Sequence, residues 1–83
     1  MPLYMDIHRN VGELTAAAVT EAHRKDLVTQ AKHGVEYLRY WYNEAEGTVF
    51  CLCRAPSLEA AEAVHREAHG LIADDIVEVE EGV

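Results

Sequence analysis

The chain's pattern predicts an α+β domain of the ferredoxin-like βαββαβ plan, and three observations carry that expectation. Apolar residues alternate in four short runs. Two longer stretches repeat with helical spacing. Turn and capping residues separate the elements in the order strand, helix, strand, strand, helix, strand. Right-handed crossovers then place both helices on one face of a four-stranded antiparallel sheet, with the first and third strands central. Residues 1–83 are expected to form one such domain, because 83 residues are too few for two cores.

The first run, Leu3–His8, alternates Leu3, Met5 and Ile7 with Tyr4, Asp6 and His8, as a strand does. Gly12 breaks it. Thr15 is the expected N-cap of the first helix, with Leu14 and Val19 placed as a hydrophobic staple. That helix is expected from Ala16 to Lys32, stopping at Gly34. Val35–Tyr42, rich in aromatic and branched residues, reads as the second strand. Strict alternation puts Val35, Tyr37, Arg39 and Trp41 on one side of it, and Leu38, Tyr40 and Tyr42 on the other.

Asn43–Gly47 is a hairpin connection in which Gly47 is free to take a positive φ. Thr48–Arg54 is the third strand, and Pro56 and Ser57 punctuate it. Ser57 caps a second helix that Gly70 ends, and Ile76–Glu80 is the fourth strand. On the third strand Phe50 and Leu52 oppose Val49, Cys51 and Cys53, so both faces of the sheet are apolar. A sheet with one wet face would not look like this. The expected solution is a homodimer packed through the open sheet face.

Charge and composition exclude several classes of function. Fifteen acidic residues against seven basic ones give a net charge of −8, a field that repels phosphate backbones, so no nucleic-acid partner is expected. No run approaches the ~20 apolar residues of a membrane helix, and Met1–Asn10 lacks the basic start and long apolar stretch of a secretory signal. Cys51 and Cys53 stand two apart on one strand, ~6.6 Å in backbone terms, at the upper limit for a disulfide. A reduced, cytoplasmic protein without membrane attachment is the expectation. The glycines form no phosphate-binding fingerprint, and no serine sits in a nucleophile elbow.

Histidine is where chemistry concentrates. His65 and His69 lie four apart on the second helix, one above the other. His65 falls within the apolar arc of Leu58, Ala61, Val64 and Ala68, and His69 borders it, so both rings are expected to face the body of the protein. Asp6 and His8 put an oxygen and a nitrogen donor on one side of the first strand. Together these supply three imidazoles and a carboxylate, a set suited to Ni²⁺, Zn²⁺ or Cu²⁺. His23 continues the stripe of Val19 and Leu27 on the first helix, with Asp26 at i+3 as a supporting carboxylate. Cys51 is either a softer supporting donor or a small core residue.

Several of these pieces recur together in one known family. Asp6-x-His8, the E-A-H-x-x-D-L of Glu21–Leu27, Trp41 before an acidic turn, F-C-L-x-x-A-P at Phe50–Pro56, H-x-x-A-H-G at His65–Gly70 and the pattern around Asp74–Val79 are similar to a family of small bacterial proteins of mostly unassigned function. Its members are described as nickel-binding, ferredoxin-like and dimeric. The resemblance implies a nickel ion held by Asp6, His8, His65 and His69, supported by His23, Asp26 and Cys51.

The leading expectation is therefore a homodimeric metal-binding protein for nickel, with zinc or copper as alternatives, serving storage, buffering or sensing. A rival expectation is a dimeric α+β-barrel enzyme that acts on a small organic substrate or haem. There His23 or His65 would be the general base, and Tyr37, Tyr40 and Trp41 the walls. A third is an interaction module with no site.

Overall fold

The structure, a computed structural model, describes residues 1–82. Six elements follow the expected order: β1 Leu3–His8, α1 Ala16–Thr29, β2 Glu36–Asn43, β3 Thr48–Arg54, α2 Leu58–Ala68 and β4 Asp75–Val79. The strands form one antiparallel sheet in the order β2-β3-β1-β4, so β1 and β3 are central, and the fold is ferredoxin-like. Among the described residues no helix is long and apolar enough to cross a membrane.

Both helices begin on the predicted caps. Thr15 Oγ1 accepts from the Ala18 amide and Ser57 Oγ from the Ala60 amide, each at 3.1 Å. α1 is shorter than expected. Its last turn tightens into a 3₁₀ segment, Gln30–His33, which Gly34 ends at φ 68°. The tightening leaves the Gln30 carbonyl to the Val35 amide and its side chain to the Tyr37 amide, 2.8 Å away, locking the entry to β2.

On β1 the two alternating sets separate as predicted, and it is Tyr4, Asp6 and His8 that are buried, while Leu3, Met5 and Ile7 face the open side of the sheet. On β3, Val49, Cys51 and Cys53 are buried beside them, Asp6 pairing with Cys51 and His8 with Val49. Both cysteines are free thiols.

Two sequence expectations need correction. On β2 a bulge between Tyr37 and Arg39 breaks the alternation. Tyr37 pairs with Cys53 and Tyr40 with Cys51, so both share the helix-side face, whereas Leu38, Arg39 and Trp41 go to the open face. On α1 the inward stripe runs through Val19 and Asp26; Leu27 is 43% exposed. A carboxylate, not the leucine, points into the protein.

Candidate metal centre

His65 is the hub of the buried polar cluster. α2 delivers its ring to the middle of the sheet because Ala61 and Val64, on the same arc, are packed without exposure against the core. Its two ring nitrogens meet two carboxylates. Nε2 is in short contact with Asp6 Oδ2 from β1, and Nδ1 lies 3.0 Å from Asp26 Oδ1 on α1. A ring that donates through both nitrogens is an imidazolium. Burial works against that charge, but the hydrogen bonds to Asp26, Asp6 and Cys51 outweigh it and hold the pKa up at about 11. Burial likewise pushes the Asp26 carboxyl up, and its bonds from His65 and His69 more than reverse this, keeping it below the ordinary carboxylate value.

The remaining donors surround this ion pair. The His8 ring centre is 5.0 Å from that of His65, edge to face, and the His69 ring centre is 5.1 Å away. His8 differs from His65 in kind. Burial and repulsion by His65 pull its pKa down to about 4, so it is uncharged at neutral pH. His69 sits at the C-cap of α2. Its Nδ1 accepts from the Leu71 amide at 3.1 Å, which places its proton on Nε2, 3.0 Å from Asp26 Oδ1.

Tyr37 completes the floor by donating its hydroxyl to Asp6 Oδ2 at 2.7 Å. Sequence reasoning placed Tyr37 only among the walls of a hypothetical substrate pocket. The β2 bulge that aims it at Asp6 has no signature in the residue pattern.

Nitrogen, oxygen and sulfur donors converge in two overlapping triads that share His65. His8, Cys51 and His65 have ligand atoms within 4.8 Å of one another, and so do Asp26, His65 and His69. Three of the predicted ligands, His8, His65 and His69, thus fall into these groups. Asp6 binds the shared histidine from below. Asp26 and Cys51, expected as supporting residues, stand in the donor groups themselves. His23 stands apart, its ring 4.6 Å from that of Tyr40, while Asp26 is bonded to His65 and His69 rather than to it.

The donor set suits a transition ion, being imidazole and thiol with few oxygens. A second observation agrees: Asp6 Oδ1 is buried with no hydrogen-bond partner among the described residues, an acceptor left over after Oδ2 is satisfied. A cleft of about 610 Å³ opens over the cluster between α1, the sheet and the segment after α2. His8, His23, Tyr40, His65 and His69 line it, whereas Trp41 faces the opposite side of the sheet and is not among its walls.

Comparison with known proteins identifies a family and a matching fold. The family described as "Nickel responsive protein SCO4226-like" matches residues 4–79. The crystal structure of SCO4226 from Streptomyces coelicolor A3(2) superposes with a TM-score of 0.91 at 36% identity, covering 98% of this chain and 99% of that one. Comparison with curated proteins gives no match.

Proposed function

The chain belongs to the family of SCO4226-like, nickel-responsive proteins, and on that premise we propose that it binds a divalent transition ion, nickel foremost, through donors gathered around His65. The observation that carries the reading is the buried double triad, His8 with Cys51 and His65, and Asp26 with His65 and His69. His8 is the ready ligand, since its imidazole is uncharged and offers a lone pair. His65 would join only by giving up a proton, and the Asp6 and Asp26 carboxylates would then balance the ion's charge in its place. Zinc and copper suit the same donors; calcium, which wants more oxygens, does not.

The role we assign to the site is storage, buffering or sensing of the ion in the cytoplasm. The protein would work as a homodimer joined through the open sheet face. Titration calorimetry of the metal-free chain with Ni²⁺, Zn²⁺ and Ca²⁺ tests the proposal. Nickel is expected to bind more tightly than about 10 µM, and His8→Ala to weaken it at least tenfold. Heats measured in two buffers of different ionisation enthalpy are expected to reveal proton release. Equal, weak heats for all three ions would overturn the reading.

A further inference from the structure

The two triads share His65 but differ in chemistry. Asp26, His65 and His69 offer imidazole and carboxylate donors, and His69 is only partly buried. His8, Cys51 and His65 put sulfur in place of the carboxylate, and all three are buried, at 8%, 7% and 1% exposure. Thiolate sulfur selects soft ions, cuprous ion among them, whereas imidazole serves divalent ions such as nickel. Three donors suit a cuprous ion; square-planar nickel wants a fourth.

Burial sharpens the difference. It pushes the Cys51 thiol up, against the pull of its hydrogen bond with His65, so the sulfur holds its proton at neutral pH. An ion gains this ligand only by displacing that proton, and a strong metal–sulfur bond must offset the cost. A monovalent ion beside one thiolate then forms a neutral unit, which a dry triad holds at less cost than a surplus of charge.

The surroundings also accommodate a cation. Asp6, paired with Cys51 across the strands, keeps Oδ1 buried and without a hydrogen-bond partner among the described residues. When His65 turns a nitrogen to the ion, neither carboxylate loses its last donor. Tyr37 still donates to Asp6 at 2.7 Å, and His69 Nε2 still lies 3.0 Å from Asp26. His8, Cys51 and His65 all line the cleft, which is the way in.

We propose that His8, Cys51 and His65 form a cuprous-ion site, with one thiolate sulfur and two imidazole nitrogens around a single Cu⁺. Its arrival releases two protons to solvent, one from the Cys51 thiol and one from the His65 ring, and the oxidation state of the ion does not change. The site shares its cluster with the nickel reading without depending on it. The two ions compete for His8 and His65, and Cys51 is the donor that favours the cuprous one.

The test uses the full chain freed of metal with EDTA and kept under argon with ascorbate, titrated with Cu⁺ against the chelator bicinchoninate. One Cu⁺ per chain, held more tightly than about 1 nM, is the expected result. Copper X-ray absorption should show sulfur in the coordination shell, and one equivalent of Cu⁺ should abolish Ni²⁺ binding. Cys51→Ser should weaken Cu⁺ about 100-fold and Ni²⁺ by less than about fivefold; Cys51→Ala repeats the comparison should that variant not fold. His69→Ala should do the reverse, weakening Ni²⁺ more than Cu⁺. Cys53→Ala is the control: this thiol is fully buried two residues on and belongs to neither triad, so Cu⁺ affinity should stay within about threefold. A copper shell without sulfur, an equal loss in the Cys53 variant, or a folded Cys51 variant that holds Cu⁺ as tightly as the wild type overturns the proposal. A chain that takes up Cu⁺ but no Ni²⁺ sinks the nickel reading alone, and one that takes up Ni²⁺ but no Cu⁺ sinks this one alone.

Discussion

Asp26 on α1 and His65 on α2 meet at 3.0 Å, Oδ1 to Nδ1, across 39 residues of chain. Both side chains are buried, and the same oxygen also lies 3.0 Å from His69 Nε2. The contact therefore ties the two helices together over the sheet with a charge-assisted bond, and it defines one corner of the donor cluster.

Removing that carboxylate leaves a buried imidazolium half balanced. Asp26→Asn keeps the shape and loses the charge, and breaking a buried pair from one side costs about 3–5 kcal/mol. Urea denaturation should show this as a lowered midpoint with an unchanged slope. Glu67→Gln is the control. Glu67 pairs with Lys32 and His33 at the surface, where such pairs contribute about 0–1 kcal/mol. Equal effects of the two substitutions would contradict the central role of the Asp26–His65 pair.

The protonation states fix how stability responds to pH. His65 keeps its proton in the folded chain up to about 11, against 6.5 when unfolded. Its contribution is thus fully present below pH 6.5 and is lost as pH rises through 11. Between pH 7 and 8.5 the folded state holds a proton that the unfolded state has released, so stability should fall by about 1.4 kcal/mol per pH unit. The buried thiols act in the same direction only above their ordinary value of 9.0, since burial pushes both of them up.

On the acid side His8 is lowered to about 4 and His23 is lowered too, both chiefly by burial. Their contributions are present above pH 6.5 and fade as pH drops toward 4. A stability maximum near pH 6.5 is expected from thermal melts across this range. His65→Gln should flatten the alkaline limb specifically, whereas a wild-type profile flat from pH 7 to 8.5 would rule out the imidazolium.

The plan of the fold was legible because alternation and helical spacing report which residues share a face of each element. Tyr4, Asp6 and His8 share one face of β1, as the alternation predicts, but with both sheet faces apolar the pattern left open that this face is the buried one. His65 was legible for the same reason, lying among Ala61 and Val64 on one arc. Two features were not. Leu27 outranks Asp26 on any hydropathy criterion, yet Asp26 is the buried one, because its partner His65 comes from a helix that local spacing cannot see. The bulge on β2 turns Tyr37 toward Asp6, and a strand of aromatic residues reads equally well in either register.

Gly47 holds the loop that walls the cleft. It lies at φ 68°, and a Cβ there would stand 3.0 Å from the Val11 carbonyl oxygen, while its own carbonyl accepts from the Val11 amide at 2.9 Å. Gly47→Ala therefore meets both a left-handed backbone and a backbone clash, and should cost more than about 1 kcal/mol. Hydrogen exchange at the Val11 amide should rise in this variant more than at the Leu52 amide in the central strand. Unchanged protection at Val11 would show that the loop is held by something else.

The open face of the sheet carries the last prediction. Trp41 is 47% exposed and Val77 44%, and Met5, Leu38 and Leu52 lie on the same face, away from the helices and the donor cluster. An apolar face of this breadth calls for a partner, and a second copy meeting it about a twofold axis is the simplest occupant. A dimer is expected in sedimentation at micromolar concentration, with a melting temperature that rises with protein concentration. Trp41→Glu places a charge in the middle of that interface, where it would be desolvated without a partner, and should weaken association by at least ~100-fold. Its melting temperature should then be independent of concentration. Because Trp41 faces away from His65, the monomeric variant should still bind nickel with one chain's full stoichiometry; loss of binding together with the dimer would instead mean that the partner subunit supplies a ligand. A wild-type chain that stays monomeric at 100 µM, about 5.5 kcal/mol of association free energy or less, would leave this face without the occupant argued for it.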